Sequence, residues 1–222
     1  MKLYGAAISA NCIRVYIYLA EKGLDIPRVD FLPPHKELKS PEYLAKNPAG
    51  KIPLLELDDG SYIPESAAII EYLEERFPNP PMIGTNATER AKVRALERVV
   101  AELFPLCRLY FSNMAPSFLQ NLRGIAHNPA VAEAIRPTVE KDLGSLEAHI
   151  GKNEFLAGNL PTVADVHFYA LLNAGIDKFK YVIPEQFPRL RQWYKNFGQR
   201  PSASAGKSEV GFQHPASEKA SG

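Results

Sequence analysis

A short segment near the N-terminus, Ser9-Ala10-Asn11-Cys12, places hydroxyl, amide and thiol side chains at the predicted start of a helix. The N-terminus of a helix presents unpaired N–H groups and a partial positive charge, and both favour an anion. Ser9 or Asn11 would add one further hydrogen bond to that anion. The alternative is a simple helix cap, because Ser and Asn are favoured at that position in any case.

The segment NPAGKIP, residues 47–53, places a proline directly after a turn. A proline at the start of a strand is a position at which cis peptide bonds occur. A cis bond before Pro53 would turn the backbone N–H and C=O of Ile52 outward, where an extended peptide ligand can pair with them as an added strand does. An ordinary proline at a strand entry is the alternative, and the spacing alone does not separate the two.

Glu65 and Ser66 stand together at the predicted start of a helix over residues 65–77. Ser66 suits the N-cap position, and the N–H groups of that first turn can hold a carboxylate. Glu65 beside it can pair with an ammonium group. The two residues therefore suit an α-amino acid, which has both charges, although acidic and hydroxyl residues are also common at helix starts for structural reasons.

Thr162 and Asp165 have the spacing of a capping box, with Asp in place of the commoner Glu or Gln. They precede the apolar run 166–172. We interpret this pair as structural, since it would nucleate a buried helix.

The first three motifs lie in an N-terminal region that alternates strand and helix patterns. The predicted strands are 1–4, 26–31, 51–57 and 61–63, and the predicted helices are 12–22, 41–46 and 65–77. This order fits a small mixed sheet with helices packed on it, an α/β domain over residues 1–78. The segment PNPP, residues 78–81, interrupts the pattern and predicts a linker over 79–87.

Strand patterns end before Thr88. Helical runs at 88–119, 129–152, 162–179 and 188–199 predict an all-α domain over residues 88–200. Residues 201–222 are small and polar, which predicts a flexible tail.

Composition narrows the class of partner. Hydrophobic residues make up 45% and charged residues 23%, and the formal net charge is +1 without a long run of like charge. This argues against a nucleic-acid-binding or anionic-membrane-binding protein.

The two cysteines have no spacing typical of a metal site or a disulfide framework, and no apolar stretch approaches the roughly 20 residues of a membrane span. We expect a cytoplasmic protein without a metal.

Taken in order, the motifs resemble the cytosolic glutathione transferase superfamily over residues 1–200. The resemblance is most specific in NPAGKIPLLELDDGSYIPESAAIIEYLEERF, residues 47–77, and in LAGNLPTVADVHF, residues 156–168. It implies a thioredoxin-like first domain that binds glutathione as a co-substrate, an all-helical second domain and a homodimer.

The resemblance also implies which residues contact glutathione. Ser9 falls at the place of the activating serine, five residues before Arg14, and Asn11 is a substitute donor to the same sulfur. The other implied contacts are Ile52 and cis Pro53 for the cysteinyl backbone, Glu65 and Ser66 for the γ-glutamyl end, and Lys39, Lys51 and, more weakly, His35 and Lys36 for the glycyl carboxylate. A solvated charged loop is the alternative for the four basic residues.

Activation of a thiol by Ser9 has a definite energetic requirement. A free thiol with a pKa of about 8.5 is only about 3% ionised at neutral pH. Lowering this pKa by roughly two units requires about 2.7 kcal/mol of preference for the thiolate. One charge-assisted hydrogen bond contributes about 1.5–3 kcal/mol and a helix terminus up to about 1 kcal/mol, so one hydroxyl suffices.

The electrophile would bind to the helical domain opposite Ser9. Tyr110, Phe111 and Met114 are the predicted pocket residues, with core packing at helical spacing as the alternative. The predicted function is the transfer of glutathione to a small hydrophobic electrophile. A glutathione-dependent lyase, isomerase or ether-cleaving enzyme on the same fold is a second hypothesis, and a non-catalytic binding protein is a third.

Overall fold

The computed structural model describes residues 1–32, 35–114 and 127–205. Its N-terminal strands are β1 (Lys2–Gly5), β2 (Arg28–Asp30), β3 (Leu54–Glu56) and β4 (Tyr62–Pro64). They form one sheet in the order β2-β1-β3-β4. β1 and β2 are parallel because a helix crosses between them, whereas β3 is antiparallel to both of its neighbours.

Three helices pack on or beside this sheet, and a 3₁₀ turn at Lys36–Lys39 precedes the second of them. They are α1 (Ala10–Lys22), α2 (Pro41–Lys46) and α3 (Ser66–Arg76). α1 is buried along most of its length and ends at Gly23, whose φ of 64° lets its N–H bond back to the last turn. α3 contributes Ile69 and Leu73 to the same core.

The second domain is helical. Its helices are α4 (Ala87–Met114), α5 (Pro129–Ile150), α6 (Val163–Phe179) and α7 (Pro188–Gly198). They match the four predicted runs, except that residues 115–119 of the first run lie outside the described residues. α6 packs against α4 in its own domain and against α1 of the first domain. The predicted fold class, a thioredoxin-like domain followed by an all-helical domain, is confirmed. Across the described ranges, no helix has both the length and the apolar composition needed to cross a membrane.

The predicted capping box is present at the start of α6. The buried Asp165 carboxylate accepts hydrogen bonds from the backbone N–H and the hydroxyl of Thr162, at 2.9 and 2.8 Å. It also accepts from the Leu156 N–H at 2.8 Å and from Trp193 Nε1 at 2.9 Å. Burial raises the pKa of Asp165, and these four donors oppose that rise. The cap thus joins α6 to the preceding loop and to α7.

The linker is held to the first domain by the buried carboxylate of Glu74 on α3. Glu74 pairs with Lys22 at 3.0 Å and accepts from the Tyr18 hydroxyl at 2.7 Å and from the Met82 N–H at 2.7 Å. Lys22 also donates to the Pro80 carbonyl at 2.6 Å. The residues after α3 are therefore fixed to α1 by polar bonds as well as by packing.

The prediction of a flexible tail from Pro201 is wrong for its first five residues. Pro201–Ser204 forms a 3₁₀ turn in which Ser202 and Ala203 are buried. Arg200 holds both carboxylate oxygens of Glu21 on α1, at 2.6 and 2.8 Å, and the Ser202 hydroxyl donates to the same carboxylate. Small polar residues favour a flexible tail when the rest of the fold offers them no bonding partner. Here Glu21 of α1 bonds to Arg200 and Ser202. Residues 206–222 lie outside the described residues.

Candidate functional site

A cleft of about 450 Å³ lies between the loops of the first domain and helices α4 and α6 of the second. Most of the predicted site residues line it together, although up to 102 positions separate them in the sequence. Those that do are Ser9, Asn11, His35, Lys51, Ile52, Pro53, Glu65, Ser66 and Phe111. Lys36, Lys39, Tyr110 and Met114 are not among the lining residues.

Ser9 is the N-cap residue of α1, and its backbone carbonyl accepts from the N–H groups of Cys12 and Ile13 at 3.0 and 2.9 Å. Its hydroxyl makes no capping bond. Burial raises the pKa of the nearby Cys12 thiol to about 11, although the Ser9 side chain lowers it in part. Cys12 is therefore a protonated, buried thiol at neutral pH, whereas Ser9 faces the cleft.

Tyrosine is absent from the described lining of the cleft. Tyr4, the nearest tyrosine in sequence to Ser9 on the N-terminal side, uses its hydroxyl within the sheet. That hydroxyl donates to Glu56 at 2.5 Å and accepts from Lys46 at 3.0 Å. Ser9 and Asn11 are thus the side-chain donors that this part of the chain presents at the N-terminus of α1.

The Ile52–Pro53 peptide bond is cis, which is the alternative that the resemblance implies. The turn before it is fixed by the buried Asn47, whose side-chain amide donates to the Lys51 carbonyl at 2.8 Å. The Tyr43 hydroxyl donates to the same carbonyl at 2.8 Å. Asn47 therefore has a definite part in the NPAGKIP motif: it shapes the turn that presents Ile52 to the cleft.

The start of α3 differs in detail from the expectation. Glu65, not Ser66, is the N-cap residue, and it has a positive φ of 69°. Ser66 is the first residue of the helix and is 5% exposed; its hydroxyl accepts from Arg14 Nη1 at 3.3 Å. The Glu65 carboxylate is exposed at the cleft, and the unpaired N–H groups of the first turn of α3 lie beside it. The N–H groups of α3, which can bind an anion, therefore lie next to the Glu65 carboxylate, which can bind a cation.

Two of the four predicted basic residues reach the cleft. Lys51 enters it from the turn before Ile52, and His35 enters it from the residue before the 3₁₀ turn. Lys36 and Lys39 belong to that turn, are exposed, and are not among the residues that line the cleft. For these two, the alternative of a solvated charged loop fits the structure better.

Of the three residues predicted for the electrophile pocket, Phe111 is among the described lining of the cleft, and Tyr110 and Met114 are not. Phe104, Arg108 and Phe111 of α4 are spaced by four and three residues, so they share one helix face. Tyr110 is one residue from Phe111, about 100° around the helix, and its ring lies 6.0 Å from the Phe111 ring and 6.1 Å from the Tyr181 ring. Met114 lies a turn beyond Phe111. Phe104 and Arg108 were not among the predicted pocket residues, because helical spacing from Phe111 does not by itself show which side of α4 faces the cleft.

α6 supplies the rest of this wall. Leu171, Ala174, Gly175 and Lys178 are spaced as one helical face, and Phe179 follows them. Gly175 lets the two helices approach, because an added Cβ there would lie 2.5 Å from the Phe111 ring. The Lys178 ammonium donates to the Ile8 carbonyl, directly before Ser9.

A buried polar network lies beneath the cleft and joins both domains. Arg14 of α1 is 4% exposed and pairs with Glu97 of α4 at 2.9 Å. His167 of α6 bonds to the same Glu97 oxygen through Nδ1 at 3.0 Å.

Burial would raise the pKa of Glu97, but His167 and Arg14 outweigh it and lower that pKa to about 2. Burial and the Arg14 charge lower the pKa of His167 to about 4, so its imidazole is neutral at pH 7. Since Arg14 also donates to Ser66, the network fixes the start of α3.

Comparison with known proteins assigns the class that the fold and cleft define. The model of the glutathione S-transferase N-terminal domain matches residues 3–81, and that of the glutathione S-transferase C-terminal domain matches residues 110–201. The chain belongs to the glutathione S-transferase family.

Relatives of two kinds are similar over most of the chain. Maleylacetoacetate isomerase of Pseudomonas aeruginosa is 35% identical over 195 residues, which span 86% of this chain and 88% of that protein. Glutathione S-transferase 2 of Saccharomyces cerevisiae is 31% identical over 207 residues, which span 91% and 87%. The crystal structure of Gtt2 from Saccharomyces cerevisiae superposes with a TM-score of 0.80 at 28% identity, and covers 93% of this chain and 100% of that one.

Proposed function

We propose that this protein is a glutathione transferase that binds glutathione in the cleft and uses Ser9 to stabilise the thiolate. The observation that supports this most strongly is the convergence of three separate motifs on one cleft: Ser9 at the start of α1, Ile52 before a cis proline, and Glu65-Ser66 at the start of α3. A protein that only used the fold as a scaffold would need none of these groups facing the same space.

The charges around the first-domain side of the cleft fit glutathione end to end. The Glu65 carboxylate suits the γ-glutamyl ammonium, and the first turn of α3 suits the neighbouring α-carboxylate. The backbone of Ile52 suits the cysteinyl peptide groups. Lys51, with His35 on the facing loop, suits the glycyl carboxylate. This order leaves the cysteinyl sulfur near Ser9.

In the proposed reaction the bound thiol first loses its proton to solvent. The Ser9 hydroxyl then donates to the sulfur anion, and the N-terminus of α1 adds its partial positive charge. Asn11, in the first turn of α1 and also facing the cleft, is a second donor to the same sulfur. The sulfur forms a bond to an electrophilic carbon while the leaving group departs with its electron pair.

A glutathione-dependent isomerase is the second candidate, and the 35% identical maleylacetoacetate isomerase is what favours it. The same thiolate would add to a conjugated carbon–carbon double bond, the resulting single bond would rotate, and elimination would return both the new isomer and glutathione. Both candidates require the same thiolate, so Ser9 has one role in either.

The experiment that tests the proposal combines glutathione binding with turnover. We expect Ser9→Ala to lower kcat/KM with 1-chloro-2,4-dinitrobenzene by about 100-fold near neutral pH, the equivalent of about 2.7 kcal/mol of thiolate stabilisation. Glutathione affinity, measured by titration calorimetry, should change by less than about threefold, because Ser9 meets only the sulfur in this account.

Two companion variants complete that experiment. Ser145→Ala removes an exposed hydroxyl on α5 and should leave both measurements unchanged. Asn11→Ala compares the second donor with Ser9. Failure of the unmodified protein to bind glutathione would exclude the whole proposal, and full turnover by Ser9→Ala would exclude the role of Ser9.

Two further parts of the proposal concern the whole protein: it acts as a homodimer, and it acts in the cytoplasm. The family of the chain supports the first. The two cysteines support the second, since both are free and buried and so suit a reducing compartment. Light scattering in solution measures the assembly directly.

A further inference from the structure

We infer that the second substrate is a small electrophile bearing a carboxylate, and that Arg108 binds this group. The inference rests on the proposed function, because it concerns the half of the cleft that glutathione would leave open. The sequence predicts a small hydrophobic electrophile, whereas the electrophile that we infer has an apolar body and a carboxylate.

Arg108 is the first observation. It lies on α4 between Phe104 and Phe111, on the face that lines the cleft, and it is exposed. No acidic side chain within the described ranges forms an ion pair with it. Arg94 and Arg98 of the same helix have such partners, Glu71 and Glu102, and Arg90 donates to the Gly84 carbonyl. A guanidinium that faces a cleft without a carboxylate partner is a ready site for a ligand carboxylate, which it can hold by two parallel hydrogen bonds.

The charges of the cleft are the second observation. Its described lining includes three permanent cations, Lys51, Arg108 and Lys178, against one carboxylate, Glu65. Glutathione as placed above uses Lys51 for its glycyl end and Glu65 for its ammonium group. The excess positive charge therefore lies on α4 and α6, which form the wall that the second substrate would contact.

The position of Lys178 is the third observation. Its ammonium bonds to the carbonyl of Ile8, the residue before Ser9, so one positive charge lies where the sulfur would meet its electrophile. Arg108 lies on the facing helix, and the rings of Phe104, Phe111 and Phe179 line the space with them. An apolar body would contact these rings while its carboxylate reaches Arg108, and Lys178 would add to the attraction without leaving its backbone partner.

A matched pair of electrophiles tests this inference. In 4-chloro-3-nitrobenzoate and 4-chloro-3-nitrobenzamide the same reaction takes place: the thiol proton goes to solvent, sulfur bonds to the ring carbon, and chloride leaves with its electron pair. The two compounds differ in charge and have nearly the same shape. Each enzymatic kcat/KM is divided by the uncatalysed rate constant with glutathione, so that the different activation of the two rings is removed.

We expect the unmodified protein to favour the benzoate by about tenfold on this corrected scale, and Arg108→Gln to abolish the preference through a higher KM for the benzoate alone. Arg108→Lys should restore part of it, because it restores the charge without the planar fork. Arg98→Gln, on the same helix but outside the cleft, should keep the full preference. Thermal melting of Arg108→Gln should match that of the unmodified protein, because the side chain is exposed.

The outcomes separate this inference from the function on which it rests. Turnover of both compounds with no corrected preference, or a preference that survives in Arg108→Gln, would overturn the carboxylate site and leave the transferase proposal standing. Absence of glutathione binding would overturn the transferase proposal itself. A loss of activity toward both compounds in Arg108→Gln would also contradict the inference, since it would assign Arg108 to glutathione or to the fold.

Discussion

Ser9 and Cys12 are three residues apart at the start of α1, yet they face opposite environments. Ser9 faces the cleft, whereas the Cys12 side chain is fully buried in the core. The chemistry at this helix terminus therefore depends on a bound ligand thiol rather than on a protein thiol.

We predict that neither cysteine reacts readily with iodoacetamide in the folded protein. Cys12 and Cys107 are both fully buried, and burial raises the pKa of each thiol, so the thiolate fraction at neutral pH is very small. Mass spectrometry after timed labelling measures this. Labelling should appear only on unfolding in urea; rapid modification of Cys12 in the native protein would contradict this prediction.

Single residues also define the limit of what the sequence could predict about the site. Ser9, Ile52, Pro53 and Glu65 were identified because each lies in a motif whose chemistry is local. Phe111 was grouped with Tyr110 by apolarity alone, and helix geometry separates the two. Arg108 was not selected at all, because only the docking of α4 against the first domain gives it a cleft to face.

At the scale of elements, the Arg14–Glu97–His167 network joins α1, α4 and α6 and supports the first residue of α3. Its members are separated by 83 and 70 residues along the chain. Long-range pairs of this kind cannot be found from a single sequence, because nothing local marks the partner. The boundaries of the helices, by contrast, follow from local caps such as Gly23 and the Thr162–Asp165 box, and were predicted closely.

The network predicts a loss of stability in acid. His167 has a folded pKa of about 4, below the unfolded value of about 6.5, so the unfolded chain binds the extra proton first as pH falls. Stability should therefore decrease from about pH 6.5 toward pH 4, by at most about 1.4 kcal/mol per pH unit for this group. Glu97, with a folded pKa of about 2, adds a loss of the same sign below about pH 4.3.

Urea unfolding between pH 4.5 and 7.5 measures this dependence. The slope should be smaller in His167→Gln than in the unmodified protein, because glutamine does not titrate. His149→Gln removes an exposed histidine of α5 and serves as the matched control. Equal slopes in all three proteins would show that His167 does not titrate differently in the folded and unfolded states.

At the scale of the whole molecule, the cleft exists only because the two domains are fixed to each other. α1 packs against α6, Glu74 holds the linker, and Glu21 holds the chain after α7. The order of the two domains could be predicted from strand and helix patterns, whereas the return of residues 201–205 to α1 could not, since small polar residues show no pattern of their own. One rigid junction thus brings the glutathione side and the electrophile side of the cleft together.

The central claim is that this junction holds glutathione with its sulfur at Ser9. The most direct test is the pKa of the bound thiol, followed by the ultraviolet absorbance of the thiolate as pH is varied with glutathione in saturating excess over its dissociation constant. We predict a pKa lowered by about two units from that of free glutathione in the unmodified protein, and a value close to the free one in Ser9→Ala, with glutathione bound in both. An unshifted thiol pKa in the unmodified protein, or an equal shift in Ser9→Ala, would contradict the account.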